Sequence, residues 1–327
     1  MKKPLIILTG PTAVGKTALS IKLAQRIGGE IISADSMQVY RKMDIGTAKI
    51  KACEMQGIRH HMIDILDADE EFNVVVFQKK AREHVEEINS RGLIPIITGG
   101  TGFYIQALLY DINFTNEASD EICENPSGGN AAGAGGYRAE LEALAALKGS
   151  EYLHNLLKGI DEAAAEAIHA NNHRRIIRAL EYHHQTGNLI SLHNETEKQR
   201  KSPYNFTYFV LNNEREKIYE NINRRVDEMI ADGLIDEVKN LRESGLSRLM
   251  VSMQGLGYKE IFAYLDGEVT LEEAVTLLKR DTRRFAKRQL TWFRREKEVI
   301  WLNKADYHSD DEIVEEMMRV ISGKLKV

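Results

Sequence analysis

Apolar positions along the chain fall into short continuous runs and longer spaced ones, and the two alternate. Leu5 to Thr9, Glu30 to Asp35 (EIISAD), His60 to Leu66 (HHMIDIL) and Leu93 to Ile97 (LIPII) are short enough to be strands. Leu19, Ile21, Leu23 and Ile27 follow the first of these runs after a glycine-rich turn, in a pattern that predicts a helix. Strands that alternate with helices predict βαβ units and a parallel sheet. After about Asp111 the pattern changes. Asn125 to Gly136 (NPSGGNAAGAGG) holds five glycines and almost nothing large enough to pack, and reads as a flexible loop or linker. Helical spacing resumes from Tyr137 to about Gly187, and Tyr208 to Leu211 (YFVL) predicts a return to the sheet. Beyond Asn213 the chain reads as helix, with breaks near Gly245, Gly255 to Gly257 and Gly267 and a late strand at Val299 to Leu302 (VIWL). No internal repeat is visible.

At 327 residues the chain is about twice a typical domain, which suits an α/β core carrying a smaller module. Hydrophobic residues at 43% and charged residues at 28% exclude a disordered, collagen-like or wholly coiled-coil chain. The two cysteines, Cys53 and Cys123, form no CxxC or Cys/His cluster, so neither a disulfide framework nor a zinc site is expected and the compartment is expected to be reducing. The first apolar run is too short for a signal peptide or a membrane span, so a cytoplasmic protein with no membrane partner is expected. A net charge of −5 by itself argues against a nucleic-acid partner.

Gly10, Pro11, Thr12, Ala13, Val14, Gly15, Lys16 and Thr17 fit GxxxxGK[ST] between a strand and a helix, as that motif requires. Its glycines let backbone N–H groups turn inward around a polyphosphate, Lys16 adds a point charge, and Thr17 offers a hydroxyl to Mg²⁺. The loop fixes a binding mode and leaves the ligand open, because ATP, GTP and an alkyl pyrophosphate present similar oxygens. Asp35 ends the second strand, and Ser36, Met37 and Gln38 follow it. Beyond the carboxyl end of a parallel strand Asp35 lies beside the phosphate loop, as a general base, a metal ligand or simply a helix cap. Thr98 to Gly102 (TGGTG) forms a second glycine-rich turn after the fourth strand, shaped for a ligand or for packing. His60 and His61 point to opposite faces of a strand, which argues against a shared metal and for structural roles, as for Asp64.

Division of the charge changes the picture. Lys279 to Lys297 (KRDTRRFAKRQLTWFRREK) holds nine Lys/Arg and two acids, a local excess of +7 that leaves about −12 for the rest. On a helix Arg280, Arg284 and Arg288 form one stripe, with Phe285, Trp292 and Phe293 interleaved. Cations that track phosphates beside aromatic stacking groups suit structured RNA; a solvated face over core aromatics is the alternative. Arg174, Arg175 and Arg178 mark a second basic helix start, and Arg224 and Arg225 can reach a phosphate or pair with Asp227 and Glu228.

Together these stretches resemble the tRNA dimethylallyltransferase family, also called tRNA isopentenylpyrophosphate transferases. The matches are GPTAVGKTAL (10–19), ISADSMQVYRKMDIGTAK (32–49), HHMIDI (60–65), GGTGFYIQAL (99–108), HRRIIRALE (173–181), INRRVDEM (222–229), GYKE (257–260) and RRFAKRQLTWFRR (283–295), in family order. Glu117 to Gly136 shows no family motif, and Asn221 stands where relatives often have arginine, which turns attention to Arg225.

The resemblance implies an α/β fold with a P-loop NTPase-like core, a parallel sheet flanked by helices, over residues 1–115 and 205–327. It also implies a helical insertion domain contacting tRNA over 116–204. The implied reaction transfers a dimethylallyl group from dimethylallyl pyrophosphate to N6 of adenosine 37, in tRNAs reading codons that begin with U. It further implies catalytic roles for Asp35, Thr12, Lys16 and Arg225, pyrophosphate held by residues 10–17, and Mg²⁺ on Thr17. The tRNA anticodon stem-loop would be contacted by Asp35, Ser36, Met37, Gln38, Thr101, Arg138, Arg174, Arg284 and Arg288. A monomer is expected. An adenylate isopentenyltransferase, a P-loop kinase of a small metabolite and a non-catalytic RNA-binding switch remain as alternatives.

Overall fold

Residues 2–112, 114 and 135–325 are described in the computed structural model. They divide into two compact units, one holding the residues up to 109 and from 202 onward, the other the described residues between.

In the first unit six strands form one sheet in the order β3-β2-β4-β1-β5-β6, and all the pairings are parallel. They are β1 (Lys3–Thr9), β2 (Gly29–Ala34), β3 (His60–His61), β4 (Ile94–Gly99), β5 (Tyr204–Asn212) and β6 (Val299–Asn303). Leu5 to Leu8, Ile96, Ile97 and Phe209 to Leu211 are fully buried, so the central strands read as continuous apolar runs because helices cover both faces. Thr9 pairs with Gly99 and Val210, and Ala34 pairs with Gly99. The carboxyl ends of β1, β2, β4 and β5 therefore lie level along one edge, where an open parallel sheet places its ligands.

One expected strand is cut short. Of His60 to Leu66 only His60 and His61 pair with β2. Met62 and Asp64 then take left-handed φ values of 65° and 54°, which turn the chain out of the sheet. The turn delivers the Asp64 carboxylate to the buried Lys49 ammonium at 2.6 Å, and Lys49 also donates to Asp44 and to the Tyr40 carbonyl.

Helices α1 (Lys16–Ile27), α2 (Val74–Ser90) and α3 (Gly102–Leu109) follow β1, β3 and β4. The second unit holds α4 (Gly135–Lys148), α5 (Ser150–Ile160), α6 (Glu162–Ala167), α7 (His173–Thr186) and α8 (Ile190–Lys198). Leu141, Leu153, Leu157, Ile176 and Leu180 form its core. Asp161 ties it together by accepting from the Ala164 and Ser191 amides at 3.0 and 2.9 Å. The expected linker over Asn125 to Gly136 lies outside the described residues except at its end, where Gly135 and Gly136 open α4. In the first unit again, β5 leads to α9 (Arg215–Ala231), α10 (Leu234–Glu243), α11 (Tyr258–Leu265), α12 (Leu271–Phe293) and, after β6, α13 (Asp310–Leu325). The glycine breaks expected near 245, 255–257 and 267 fall between α10, α11 and α12. No helix among the described residues is long and apolar enough to cross a membrane.

A charge cluster pins the far side of the sheet. Glu30 in β2 receives Arg91 through two nitrogens at 2.6 and 2.7 Å and faces His61 Nε2 at 2.7 Å. The Arg91 hydrogen bonds hold the Glu30 carboxyl down at about 2, against the opposing effect of its burial. A carboxyl lowered from 4.5 to about 2 adds stability that is complete above pH 4.5 and is lost as the pH falls through that interval. Glu30→Gln is expected to remove on the order of 2–3 kcal/mol at neutral pH and to flatten the acid limb. Urea unfolding between pH 3 and 6 measures this, and parallel acid limbs in the two proteins would exclude the pair as a contributor.

Candidate active site

The phosphate loop leaves β1 at Gly10, where a Cβ would lie 2.3 Å from the Leu211 carbonyl oxygen, so β5 packs against backbone that only glycine can present. Ala13 holds a left-handed φ of 62°, unusual for a residue with a side chain. Its carbonyl accepts from Asn221 Nδ2 at 3.2 Å. Gly15 (φ 96°) then opens α1. Lys16 folds back over the loop and donates to the Gly10 and Pro11 carbonyls at 2.9 and 2.8 Å.

Above the loop is a cavity of about 300 Å³ lined by Thr12, Ala13, Gly15, Lys16, Thr17, Asp35, Gln38, His60, Gly99, Gly100, Arg225, Phe285 and Gln289, among others. Three of these, Lys16, Asp35 and Arg225, are half-buried charged groups. Burial, with the neighbouring Arg225 charge, lowers the Lys16 ammonium from 10.5 to about 7, while Asp35 works to raise it. Burial also lowers Arg225, and it pushes the Asp35 carboxyl above the usual range against the amides of Met37 and Gln38 and the Lys16 charge. Asp35 Oδ1 accepts from those amides at 2.9 and 3.4 Å, which leaves Oδ2 as the oxygen available to a ligand. No helix begins at Asp35, so it caps none: its carboxylate closes a turn through the Met37 and Gln38 amides and lines the cavity.

Residues far away in sequence hold the segment that follows Asp35. Gln38 accepts from Ser33 Oγ and donates to the Thr47 and Ala48 carbonyls. On α10 the Glu237 carboxylate accepts from the amides of Asp44, Ile45 and Gly46 at 2.8 to 3.1 Å and from the Tyr258 hydroxyl at 2.7 Å. Met37 packs over Gly255, where a Cβ would meet its methyl at 2.5 Å. From α12, Gln289 reaches the loop itself: its Oε1 accepts from the Thr12 amide at 2.8 Å and its Nε2 donates to the Gly100 carbonyl at 3.0 Å.

The expected site residues separate into groups. Thr12, Ala13, Gly15, Lys16, Thr17, Asp35, Gln38 and Arg225 line the cavity. Val14 points into the core, and Gly10 and Pro11 serve Lys16 through their carbonyls. Thr101 accepts the first amides of α3 and donates its own N–H to the Ala34 carbonyl at 3.3 Å. Ser36, Met37 and Thr101 are not among the cavity-lining side chains. Gly100 and Gly102 are shaped by packing, since a Cβ would lie 2.1 Å from Gln289 and 2.2 Å from Trp292. His60, expected to be structural, lines the cavity, and burial lowers its pKa. His61 turns to Glu30 instead. Ligand atoms of His61, His84 and Glu87 lie within 4.8 Å of one another, but Arg59 and Arg91 approach Glu87 at 3.4 and 3.6 Å, which disfavours a cation there.

The basic helix is two-faced. Arg284 is exposed beside Asp281, and Arg288 lies over the Phe285 ring at 5.7 Å. Lys279 pairs with Asp227, and Arg283 donates to Asn223. The interleaved aromatics turn inward, however: Phe285 lines the cavity, Trp292 packs against Gly102 and Phe103, and Phe293 is fully buried. In the other unit Arg138 pairs with Glu142 and Glu181 at 3.4 and 3.6 Å, and Arg174 is exposed in the first turn of α7. The Thr17 hydroxyl and the Asp35 carboxylate are hard oxygens on the same cavity, a sparse set that fits Mg²⁺ shared with substrate phosphates.

A family model described as IPP transferase matches residues 38–296. The chain is 59% identical over 322 residues to a tRNA dimethylallyltransferase of Lachnoclostridium phytofermentans, covering 98% of each chain. It is 48% identical to that of Bacillus licheniformis over 100% of this chain and 99% of that one. Among solved structures, the full-length tRNA isopentenylpyrophosphate transferase of Bacillus halodurans matches with TM-score 0.72 at 46% identity, over 100% of this chain and 97% of that one. A eukaryotic dimethylallyltransferase captured acting on tRNA matches with TM-score 0.79 at 27% identity, over 98% and 80%.

Burial holds the Lys16 ammonium near 7, and a bound anion restores its proton. Inorganic pyrophosphate binding near pH 8 is therefore expected to take up about one more proton in the wild type than in Lys16→Arg, the difference vanishing below about pH 6. Calorimetry in buffers of different ionisation enthalpy reads it, and equal uptake in both proteins would show that Lys16 is already charged.

Proposed function

The chain belongs to the IPP transferase family and is an enzyme of tRNA prenylation; we propose that it moves a dimethylallyl group from dimethylallyl pyrophosphate to N6 of adenosine 37, in tRNAs reading codons that begin with U. The observation that carries this reading is the cavity that Asp35 lines together with Lys16 and Arg225 beside the phosphate loop. A base and a pyrophosphate clamp on one small cavity are what N-alkylation by an allylic pyrophosphate requires.

The adenine amine is a weak nucleophile because its lone pair is delocalised into the ring. As N6 bonds to the allylic carbon and the carbon–oxygen bond to pyrophosphate breaks, the N6 proton passes to Asp35, whose burial makes it a stronger base than an exposed carboxylate. Loop amides, Lys16 and Arg225 stabilise the negative charge that collects on the departing pyrophosphate. When bound beside Thr17, Mg²⁺ supplies further neutralisation of those oxygens. Reaction at N6 needs a base taken out of its stack, so the adenosine enters flipped out of its loop, past the segment from Asp35 to Gln38 and Thr101. The exposed arginines of α12 grip the anticodon stem-loop backbone, with Arg138 and Arg174 as contacts from the helical unit. A monomer acting in the cytoplasm, where its tRNA substrate is found, completes this reading.

Asp35→Asn keeps an oxygen to accept the Met37 and Gln38 amides and loses the basicity and negative charge of the carboxylate. It is expected to lower prenyl transfer by roughly 10²–10⁴ while tRNA affinity stays within a few-fold. Mass spectrometry of adenosine 37 after incubation of unmodified tRNA with protein, Mg²⁺ and dimethylallyl pyrophosphate reads it, with AMP as the control acceptor. Full activity in the variant would remove Asp35 as the base, and modification of AMP in place of tRNA would overturn the substrate assignment.

Replacement of both Arg284 and Arg288 by glutamine is expected to weaken tRNA binding and to reduce the slope of log affinity against log salt by roughly 1 to 2. Filter binding across a salt series checks this, and an unchanged slope would make the face structural.

A further inference from the structure

Helix α12 does two things at once. Its outer face carries Arg284 and Arg288, while its inner face supplies Phe285 and Gln289 to the cavity wall and Ala286 to a small apolar contact with Ala13. Gln289 is the polar member of that inner face, 6% exposed, and both ends of its amide are committed. Oε1 takes the N–H of Thr12, the third residue after β1 in the phosphate loop, and Nε2 takes the carbonyl of Gly100 in the turn after β4. The fit is close, since any side chain at position 100 would run into the Gln289 nitrogen at 2.1 Å. One turn further along, Trp292 closes on Gly102 in the same way.

Phosphate loops act through the orientation of their backbone amides. Here the peptide at Thr12 is set by a side chain of the helix that presents the basic stripe. A small displacement of α12 must therefore shift the loop, the glycine turn, or both, because a single amide spans them. We infer that Gln289 is a positioning residue that ties docking of tRNA on α12 to the geometry of the pyrophosphate loop. The inference rests on the tRNA-prenylation reading for the identity of the ligand on α12, and on the two hydrogen bonds for the tie itself. Linkage makes the effect reciprocal: if tRNA alters the affinity for pyrophosphate by some factor, pyrophosphate alters the affinity for tRNA by the same factor.

The test uses the full chain and no chemistry. Inorganic pyrophosphate with Mg²⁺ is titrated into the free and the tRNA-saturated protein, for wild type, Gln289→Met and Gln289→Glu. Methionine fills nearly the same volume with neither hydrogen bond; glutamate keeps an acceptor for Thr12 but turns an oxygen toward the Gly100 carbonyl. The wild type is expected to show at least a fivefold change in pyrophosphate affinity on saturation with tRNA, the lower end of ordinary coupling energies. In both variants the change should fall below about twofold, with tRNA affinity within about twofold of wild type and the thermal midpoint within a few degrees. Coupling retained in either folded variant, or absent from the wild type, overturns the assignment. A wild type that fails to bind tRNA would instead strike at the functional reading, so the two failures are distinguishable.

Discussion

Desolvation of charge is the constraint on which the site depends. Lys16, Asp35 and Arg225 come from three separate segments and share one small cavity, where each is shifted toward its neutral form. A buried charge is costly unless it is paired. Lys16 relieves that cost by turning onto the loop carbonyls. Its natural partner is an anion rich in oxygen, such as the polyphosphate that this loop motif cradles. The same partial burial strengthens each interaction with such an anion, because it acts at a lower dielectric than in water.

Such a site cannot hold itself in shape, and much of the surrounding structure serves to hold it. The left-handed turn at Ala13 is secured by Asn221, the segment after Asp35 by Glu237 and Lys49, and Thr12 by Gln289. These clamps come mostly from the helices that follow β5, which explains why a sheet that already positions the loop is followed by four more helices before its last strand. Each clamp satisfies backbone groups that a left-handed or irregular segment cannot pair with a neighbouring strand.

Features written locally in the chain were legible in the sequence. The phosphate loop, Asp35 at the end of β2, the alternation of strands with helices and the charge excess of α12 all depend on neighbours within a few residues. Gln289 and Glu237 were not legible, because their partners lie 277 and about 190 residues away and no spacing rule joins them. The strand expected over His60 to Leu66 failed for a related reason. Its apolar pattern continues, but the pull of Lys49 on Asp64 turns the backbone out, and tertiary pairing overrides local propensity. The interleaved aromatics of α12 allowed two readings, stacking groups beside RNA or core aromatics under a solvated face; the structure turns Phe285 and Phe293 inward, since the period of a helix separates faces that sequence adjacency merges.

This two-sidedness also resolves the charge balance of −5. A strongly basic protein would attract any polyanion, whereas an acidic body with one basic helix restricts attraction to the face beside the cavity. That helix lines the cavity with its inner face and exposes Arg284 and Arg288 on its outer face. It can serve both because its cations have long stems that reach outward, while its shorter neutral side chains, Ala286 and Gln289, pack directly against the loop. A cation placed on the inner face would add to the repulsion already borne by Lys16 and Arg225 and lower the Lys16 pKa further. A neutral amide at position 289 therefore reconciles a cationic outer surface with a cavity that already holds two half-buried cations.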